Sequence, residues 1–215
     1  MSLALTMGLA IPRGVVILPR IMEDTDRQVV VAICAGDTGR YAELVHRYQQ
    51  PALRMAYGLL GHAQDAEEAA QDAFVSAYQA LRSFRAGAKF STWLFRIVIN
   101  KCRDVQRRRM RAPLLLAAQP DGDEASLFDS LEDPALGPAD QAAQRDLAQA
   151  LSAAINALPP QQREAVVLHH LHGLPIGEAA DAMDCRPGTV KSHLFRAHVA
   201  LRARLHTWLR PEDVS

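Results

Sequence analysis

Apolar residues recur at helical spacing along most of this chain. Val190, Leu194, Ala197, Leu201 and Leu205 follow one another at steps of four, three, four and four, which lays them along one stripe of a helix. The opposite face carries Arg186, Thr189, Lys191, Ser192, His193 and Arg196, gathered toward its N-terminal end. Asp184 to Gly188 reads as the turn before it, with Pro187 in the first helical turn where its missing N–H costs nothing. Ahead of that turn, Glu178 to Met183 is a short alanine-rich segment whose small side chains allow two helices to cross closely, the arrangement of a helix-turn-helix. A further helix starts at Leu158-Pro159-Pro160 and stops at Gly173.

The N-terminal half has the same period. A short helix ends at Gly36, and another covers Arg40 to Leu60 with Tyr41, Leu44, Val45, Tyr48, Leu53, Ala56 and Leu60 facing inward. Asp65, with Glu68 three residues on, predicts a capping-box start for a helix over residues 66–84. That helix turns Ala69, Ala70, Ala73, Phe74, Ala77, Tyr78 and Leu81 inward and Glu67, Glu68, Gln71 and Asp72 outward. The last one, Thr92 to Arg109, begins in a dense apolar run and ends in a basic tail, as a helix rooted in a core and lying along nucleic acid would. The fold class expected is all-α: two small helical domains, residues 22–111 and 145–210, joined by a flexible acidic linker over 112–144.

Charge sharpens this picture only when divided along the chain. The formal net charge is zero, yet residues 82–111 hold ten basic side chains against the single acid Asp104, and residues 185–210 hold six against none. Residues 112–144 hold seven acids and no Lys or Arg. Two basic modules flank an acidic connector, so each keeps the phosphate attraction of a DNA binder despite the neutral total.

Other chemistries are excluded or set aside. Cys34, Cys102 and Cys185 are odd in number and form no CxxC pair, which argues against a disulfide framework or zinc ribbon and for a reducing cytoplasm. His169, His170 and His172 with Cys185 make a weak metal set, since no second ligand pair is spaced for zinc. No nucleophile triad, carboxylate pair or phosphate-binding glycine loop appears, so no catalytic residue, metal or cofactor is expected. Residues 1–21 are fairly apolar, but Pro12, Arg13 and Gly14 interrupt them and no basic segment leads them. They read as a disordered leader, or as sequence ahead of a true start at Met22, and stable membrane insertion is not expected.

Three segments together, DAEEAAQDAFVSAYQALRSF, KFSTWLFRIVINKCRDVQRRR and the pair LPPQQREAVVL and GTVKSHLFRA, resemble bacterial sigma factors of the extracytoplasmic-function group, within the sigma-70 superfamily. The resemblance covers roughly residues 24–111 and 145–208. It implies a region 2 that grips the clamp of core RNA polymerase and opens the −10 element, and a region 4 that docks on the β flap and reads the −35 element. Carried over by position, Asp65, Glu68 and Asp72 would face the β′ clamp helices. Ser83, Phe84, Arg85, Lys89, Asn100, Lys101, Arg103, Arg107 and Arg108 would engage the −10 strand, whose unstacked bases must be held outside the duplex. Arg186, Thr189, Lys191, Ser192, His193 and Arg196 would touch the −35 duplex, with Arg186 and Arg196 suited to guanine edges or backbone and Lys191 and Ser192 to phosphates. Phe90 and Trp93 are read as core instead of base-stacking platforms. An anti-sigma factor is the regulatory partner that the resemblance implies.

One departure from the family pattern lies at Pro175 to Ala180, where a Ser or Thr cap and an acidic pair are usual and the helix start is weakly marked. Two alternatives remain at this level. A stand-alone helix-turn-helix regulator accounts for residues 158–208 but leaves the acidic helix 65–81 and the basic helix 92–111 without a purpose. A protein that mainly sequesters a partner leaves the recognition face without one.

Overall fold

The computed structural model describes residues 23–84, 89–111, 138–206 and 208. Eight α-helices are found among them, with no strand: α1 (Glu23–Cys34), α2 (Tyr41–Leu60), α3 (Ala63–Ala80), α4 (Phe90–Arg111), α5 (Pro138–Asn156), α6 (Pro160–Val166), α7 (Ile176–Met183) and α8 (Pro187–Arg204). Short 3-10 turns at Thr38–Arg40 and Leu81–Ser83 lead into α2 and follow α3. The leader 1–21, Arg85 and most of the acidic connector lie outside the described residues.

Helices α2, α3 and α4 pack on one another around Met55, Ala56, Leu59, Ala66, Ala69, Ala73, Phe95, Val98 and Ile99. The alanine stripe of α3 explains the close approach, since small side chains leave no ridge between helix axes. A smaller cluster of Val29, Ile33, Leu44, Tyr48, Ala77, Leu81, Phe90 and Leu94 seats α1 at the far end. There Asp26, 2% exposed, accepts hydrogen bonds from Arg47 and the Tyr48 hydroxyl, so its burial is compensated.

The C-terminal helices do not form a separate core. Val166, Leu168, Ala179, Ala180, Met183, Val190, Leu194 and Ala197 belong to the same buried cluster as α2, α3 and α4. Helix α7 lies against α4, where Ala179 and Ala180 admit close contact, and α5 and α6 lie against α2. Arg163 of α6 joins these elements. Its Nη1 donates to the Leu59 carbonyl at 2.8 Å, and its Nη2 donates to the carbonyls of Leu158 at 3.2 Å and of Asn156. Leu59 and Asn156 lie in the last turns of α2 and α5, where carbonyls lack helical partners. Gln106 of α4 adds a second donor to Leu59 at 3.0 Å.

Four local readings change. The α3 cap is His62, not Asp65: its Nδ1 accepts from the Asp65 N–H at 3.4 Å, and the helix begins at Ala63. Tyr78 is 45% exposed, because the alanines fill the buried face and its ring lies instead on Tyr41, with centroids 4.9 Å apart. Helix α5 begins at Pro138, inside the span read as linker, since proline at the first position and the alanine-rich PADQAAQ favour helix although they carry no apolar stripe. Finally, the helix that starts at Pro160 passes at Val167–Leu171 into a π-helical turn before Gly173, with φ +66°, ends it.

Candidate nucleic-acid interface

The helix-turn-helix is built as its sequence predicts. Asp184 ends α7 in the left-handed region with φ 58°, Arg186 is the N-cap of α8, and Pro187 opens it. Val190, Leu194 and Ala197 are buried beneath, so the exposed face is fixed by the same stripe that anchors the helix. Arg186, Thr189, Lys191, Ser192 and Arg196 are exposed on it, while His193 is only half exposed. Ser192 Oγ donates to the Gly188 carbonyl at 3.0 Å, which leaves the hydroxyl oxygen able to accept. Phe195 stands among them with 70% of its surface open, and a shallow hollow is lined by Lys191, Ser192, Phe195 and Arg196. Sequence reasoning missed Phe195; the available signal was its place one step before Arg196, off the buried stripe. An exposed phenyl on a basic helix face suits the thymine methyl groups of a major groove.

The second basic surface is α4 with the turn before it. Ser83 Oγ donates to the Ala80 carbonyl at 2.7 Å. Phe84 packs its ring against Phe90 and Trp93, with centroids 5.8 and 5.3 Å away, so it belongs to a partly buried aromatic group. Phe90 is buried and Trp93 half-buried, in agreement with their reading as core. Asn100 is exposed, and its Oδ1 accepts from Arg103 at 3.5 Å. Lys101 is half-buried, Arg107 pairs with Asp104, and Arg108 lies 3.5 Å from Glu68.

Lys89 and Arg103 are differently placed. Lys89 Nζ lies 2.7 Å from Glu178, and Arg103 makes a two-pronged contact with Glu164 at 2.8 and 2.6 Å. These hydrogen bonds hold the Arg103 guanidinium above its ordinary value. Arg96 Nη2 meets Asp184 at 3.0 Å. All three acids come from the C-terminal helices, and no motif pointed to them.

The acidic face of α3 also has internal partners. Asp65 pairs with Arg109 and Glu68 with Arg108, while Asp72 is exposed. The basic end of α4 thus runs beside the acidic start of α3.

The histidines are packed, not gathered as ligands. His169 Nδ1 lies 2.7 Å from the Leu174 carbonyl, His170 Nε2 lies 2.7 Å from His198 Nε2, and the His172 ring sits 5.7 Å from that of Phe95. Burial, with His198 and His169 nearby, pushes His170 down to about 4, and burial with Arg54 does the same to His172. Cys102 is pushed up to about 12 by burial and the proximity of Glu164, so its thiol stays protonated.

The chain matches the family model for Sigma-70 region 2 over residues 44–112 and that for Sigma-70, region 4 over residues 148–201. It is 34% identical over 198 residues to the RNA polymerase sigma-H factor of Pseudomonas aeruginosa, a match that covers 88% of this chain and 98% of that protein. The protein is an extracytoplasmic-function sigma factor of the sigma-70 family. The ECF RNA polymerase sigma-E factor of Escherichia coli is 33% identical over 189 residues, covering 86% of this sigma factor and 97% of its own length. Among solved structures, CnrH in complex with the cytosolic domain of CnrY superposes with a TM-score of 0.61 at 28% identity, covering 86% of this chain and 99% of that one. The sigma factor RpoE in complex with the anti-sigma factor NepR, from Bartonella quintana, gives 0.55 at 26% identity, covering 76% and 97%.

As a sigma factor the protein directs transcription initiation with RNA polymerase and is not an enzyme. Among the described residues no helix of this sigma factor is long and apolar enough to cross a membrane.

Proposed function

We propose that this sigma factor divides promoter recognition between its two basic surfaces and works in the cytoplasm. The observation that carries the reading is α8, whose Arg186, Thr189, Lys191, Ser192, Phe195 and Arg196 stand exposed above the buried Val190, Leu194 and Ala197. A helix so anchored presents its N-terminal half to the major groove of the −35 element, with arginines to guanine edges, Lys191 to phosphate, and the Ser192 hydroxyl turned from the Gly188 carbonyl to donate to phosphate.

Residues 22–111 form the −10 and polymerase unit. Asp65, Glu68 and Asp72 on α3 face the β′ clamp helices, and the α4 surface from Lys89 through Asn100, Lys101, Arg103, Arg107 and Arg108 tracks the displaced strand, joined by Ser83 and Phe84 ahead of it; Arg85, outside the described residues, is assigned to the strand from its sequence position alone. A row of cations along one helix attracts a single strand without selecting its sequence, so specificity there comes from the bases that leave the stack. Residues 145–210 carry the −35 surface and meet the β flap, and the acidic segment between the units ties the two DNA contacts together by effective concentration. An anti-sigma factor is the partner expected to cover these faces, because both DNA surfaces are cationic and one carries an open phenyl.

The test is run-off transcription with purified protein, sigma-free core polymerase and a genomic fragment library, followed by sequencing of the start sites. Starts that share two upstream motifs at fixed spacing, with Arg196→Ala weakening them and relaxing one position of the −35 motif, support the assignment. Starts unaffected by Arg186→Ala, Lys191→Ala and Arg196→Ala together would remove α8 from promoter reading.

A further inference from the structure

The recognition helix is seated by apolar contacts that set its depth but not its rotation, since burial of Val190, Leu194 and Ala197 has no preferred direction. A directional contact comes from histidines that the promoter reading leaves without a role. His198 lies on the rim of that buried stripe, two turns after Lys191 and three residues after Phe195, so it shares a side of α8 with both. Its Nε2 meets Nε2 of His170, in the π-helical turn, at 2.7 Å. The ring centroids are 4.8 Å apart, close to the span of two imidazoles laid tip to tip. That is the geometry of one hydrogen bond between the rings, not of two lone pairs converging on an ion. On the other side of His170 stands His169, with ring centroids 4.9 Å apart. Its Nδ1 donates to the Leu174 carbonyl at 2.7 Å, which fixes that ring in the turn.

We propose that His198 and His170 are positioning residues for promoter recognition: a single proton shared between their Nε2 atoms sets the rotation of α8, and charging both rings releases the helix. The proposal deepens the assignment of α8 to the −35 element and rests on it.

The proton count gives the contact its direction. When both rings are neutral, one Nε2 donates and the other accepts, and with one extra proton a charged ring still donates to a neutral one. With two, both Nε2 atoms carry hydrogen, the bond is gone and like charges face each other. Among the described residues, the charges that bear on His170 are those of His198 and His169, and on His198 that of His169, and all oppose a further proton. The acids of the packed helices are engaged or turned outward. Glu164 of α6 is bonded to Arg103, Glu178 and Asp184 at the two ends of α7 pair with Lys89 and Arg96, and Asp181 of α7 and Asp146 of α5 are exposed. Of the cations, Arg163 of α6 faces carbonyls and Arg54 of α2 lies near His172, while Arg145 of α5 and Lys191 and Arg202 of α8 are exposed. Burial and the neighbouring rings hold His170 at about 4, against 6.5 for a ring released to water. A released ring therefore protonates first, so the seat is whole above 6.5 and is lost progressively as pH falls toward 4. At pH 5.5 the ratio of seated to released helix falls about tenfold through His170 alone.

The test uses holoenzyme of the full chain with core polymerase, bound to a promoter duplex carrying the −35 motif found by run-off transcription, at pH 7.5 and 5.5. His198→Gln is the conservative variant: its amide offers a donor to neutral His170 and an acceptor to the charged ring, so it stays bonded through the titration. Circular dichroism verifies that each variant is folded. Expected at pH 7.5 are an affinity within twofold of wild type for His198→Gln and a loss of about fivefold, one hydrogen bond, for His198→Ala. Between pH 7.5 and 5.5 wild type should lose about tenfold more affinity than His198→Gln. The charge that His193 gains against DNA, and any effect of acid on the polymerase, is common to both proteins and cancels in that ratio. Nitrogen NMR of the free chain at pH 7.5 should show one of the two Nε2 atoms protonated and the other bare. Two bare Nε2 atoms, or equal pH responses of wild type and His198→Gln, would overturn the shared-proton seat. The same assay on Arg186→Ala/Lys191→Ala/Arg196→Ala separates the two readings. Affinity lost there while both His198 variants behave as wild type strikes the positioning role alone; affinity kept removes α8 from the −35 element and the positioning role with it.

Discussion

Replacing Arg163 by Met tests how the C-terminal helices are held to α2. The guanidinium donates to the carbonyls of Leu59, Asn156 and Leu158, and the first two lie at helix C-termini, where the backbone dipoles concentrate negative charge. Methionine keeps the length and apolar stem of the side chain and deletes the donors. Hydrogen bonds to a charged group contribute about 1.5–3 kcal/mol each. The sum overstates the loss here, because Leu59 keeps Gln106 as a donor and carbonyls at helix ends can take water. Burial also lowers the Arg163 pKa, a cost that the substitution recovers. About 1 kcal/mol per carbonyl is therefore the reasonable figure, or about 3 kcal/mol in total. For a chain of this size that corresponds to a fall in Tm of about 6–12 °C. Arg163→Lys, with a point charge that reaches one carbonyl at a time, should lose about half as much. Urea unfolding followed by circular dichroism at 222 nm gives both values, with Trp93 and Trp208 as fluorescent reporters in the two units. A Met variant within about 0.5 kcal/mol of wild type would refute the view that Arg163 clamps these helix ends.

Stability should also fall as pH drops from 6.5. His170 and His172 have folded pKa values of about 4, below the ordinary 6.5, so the unfolded chain takes up protons first and the stability present above 6.5 is lost progressively toward 4. Each contributes about 1–2 kcal/mol after allowance for partial exposure, and His172→Leu should flatten the unfolding free energy between pH 6.5 and 5; an unchanged slope counts against His172. Gly61→Ala should cost more than the 1–2 kcal/mol of a left-handed alanine, because Gly61 has φ +68° and an added Cβ would lie 2.8 Å from Asn156 Nδ2. Thermal melts of G61A and of G61A/N156G separate the two costs, since the second variant relieves only the clash. On promoter DNA, Lys191→Ala should lower the salt slope of binding by about one without changing base preference, whereas Arg196→Ala should cost about 1–3 kcal/mol and relax preference at one base pair. Equal effects of both on every sequence would place both side chains on the backbone.

The helices were legible wherever burial is one-sided. Val190, Leu194, Ala197 and Leu205 form a stripe because α8 packs on one face only, and that stripe also identified which side chains would face DNA. The family motifs, likewise, lie where local helices carry the sites. Long-range charge pairing left no such trace. Glu164 and Glu178 read as ordinary helix positions and Asp184 as the start of a turn, and their partners lie some 60 to 90 residues away along the chain, as with Arg103 and Glu164 or Lys89 and Glu178. Periodicity reports that a face is buried, not what buries it. That buried residues of both spans belong to a common cluster was hidden for the same reason. Tyr78 and the start of α5 failed differently: neighbouring alanines took the buried face from the tyrosine, and helix propensity without an apolar stripe went unread at Pro138.

The π-helical turn at Val167–Leu171 bears on which insertions and deletions this chain tolerates. A turn of this kind holds one residue more than the α-helical turn around it, and each residue of an α-helix advances the chain by about 100°. Deleting one residue there would relax the backbone into an ordinary helix with little local strain. Because the wide turn already takes up that residue by rotating less per residue, everything C-terminal to it, α7 and α8 included, would keep nearly its present azimuth, whereas a deletion in the α-helical turns before it would swing them through more than a quarter turn. The segment is therefore a place where chain length can change by one without changing direction, and homologous chains one residue shorter here would be expected to aim the same recognition helix alike.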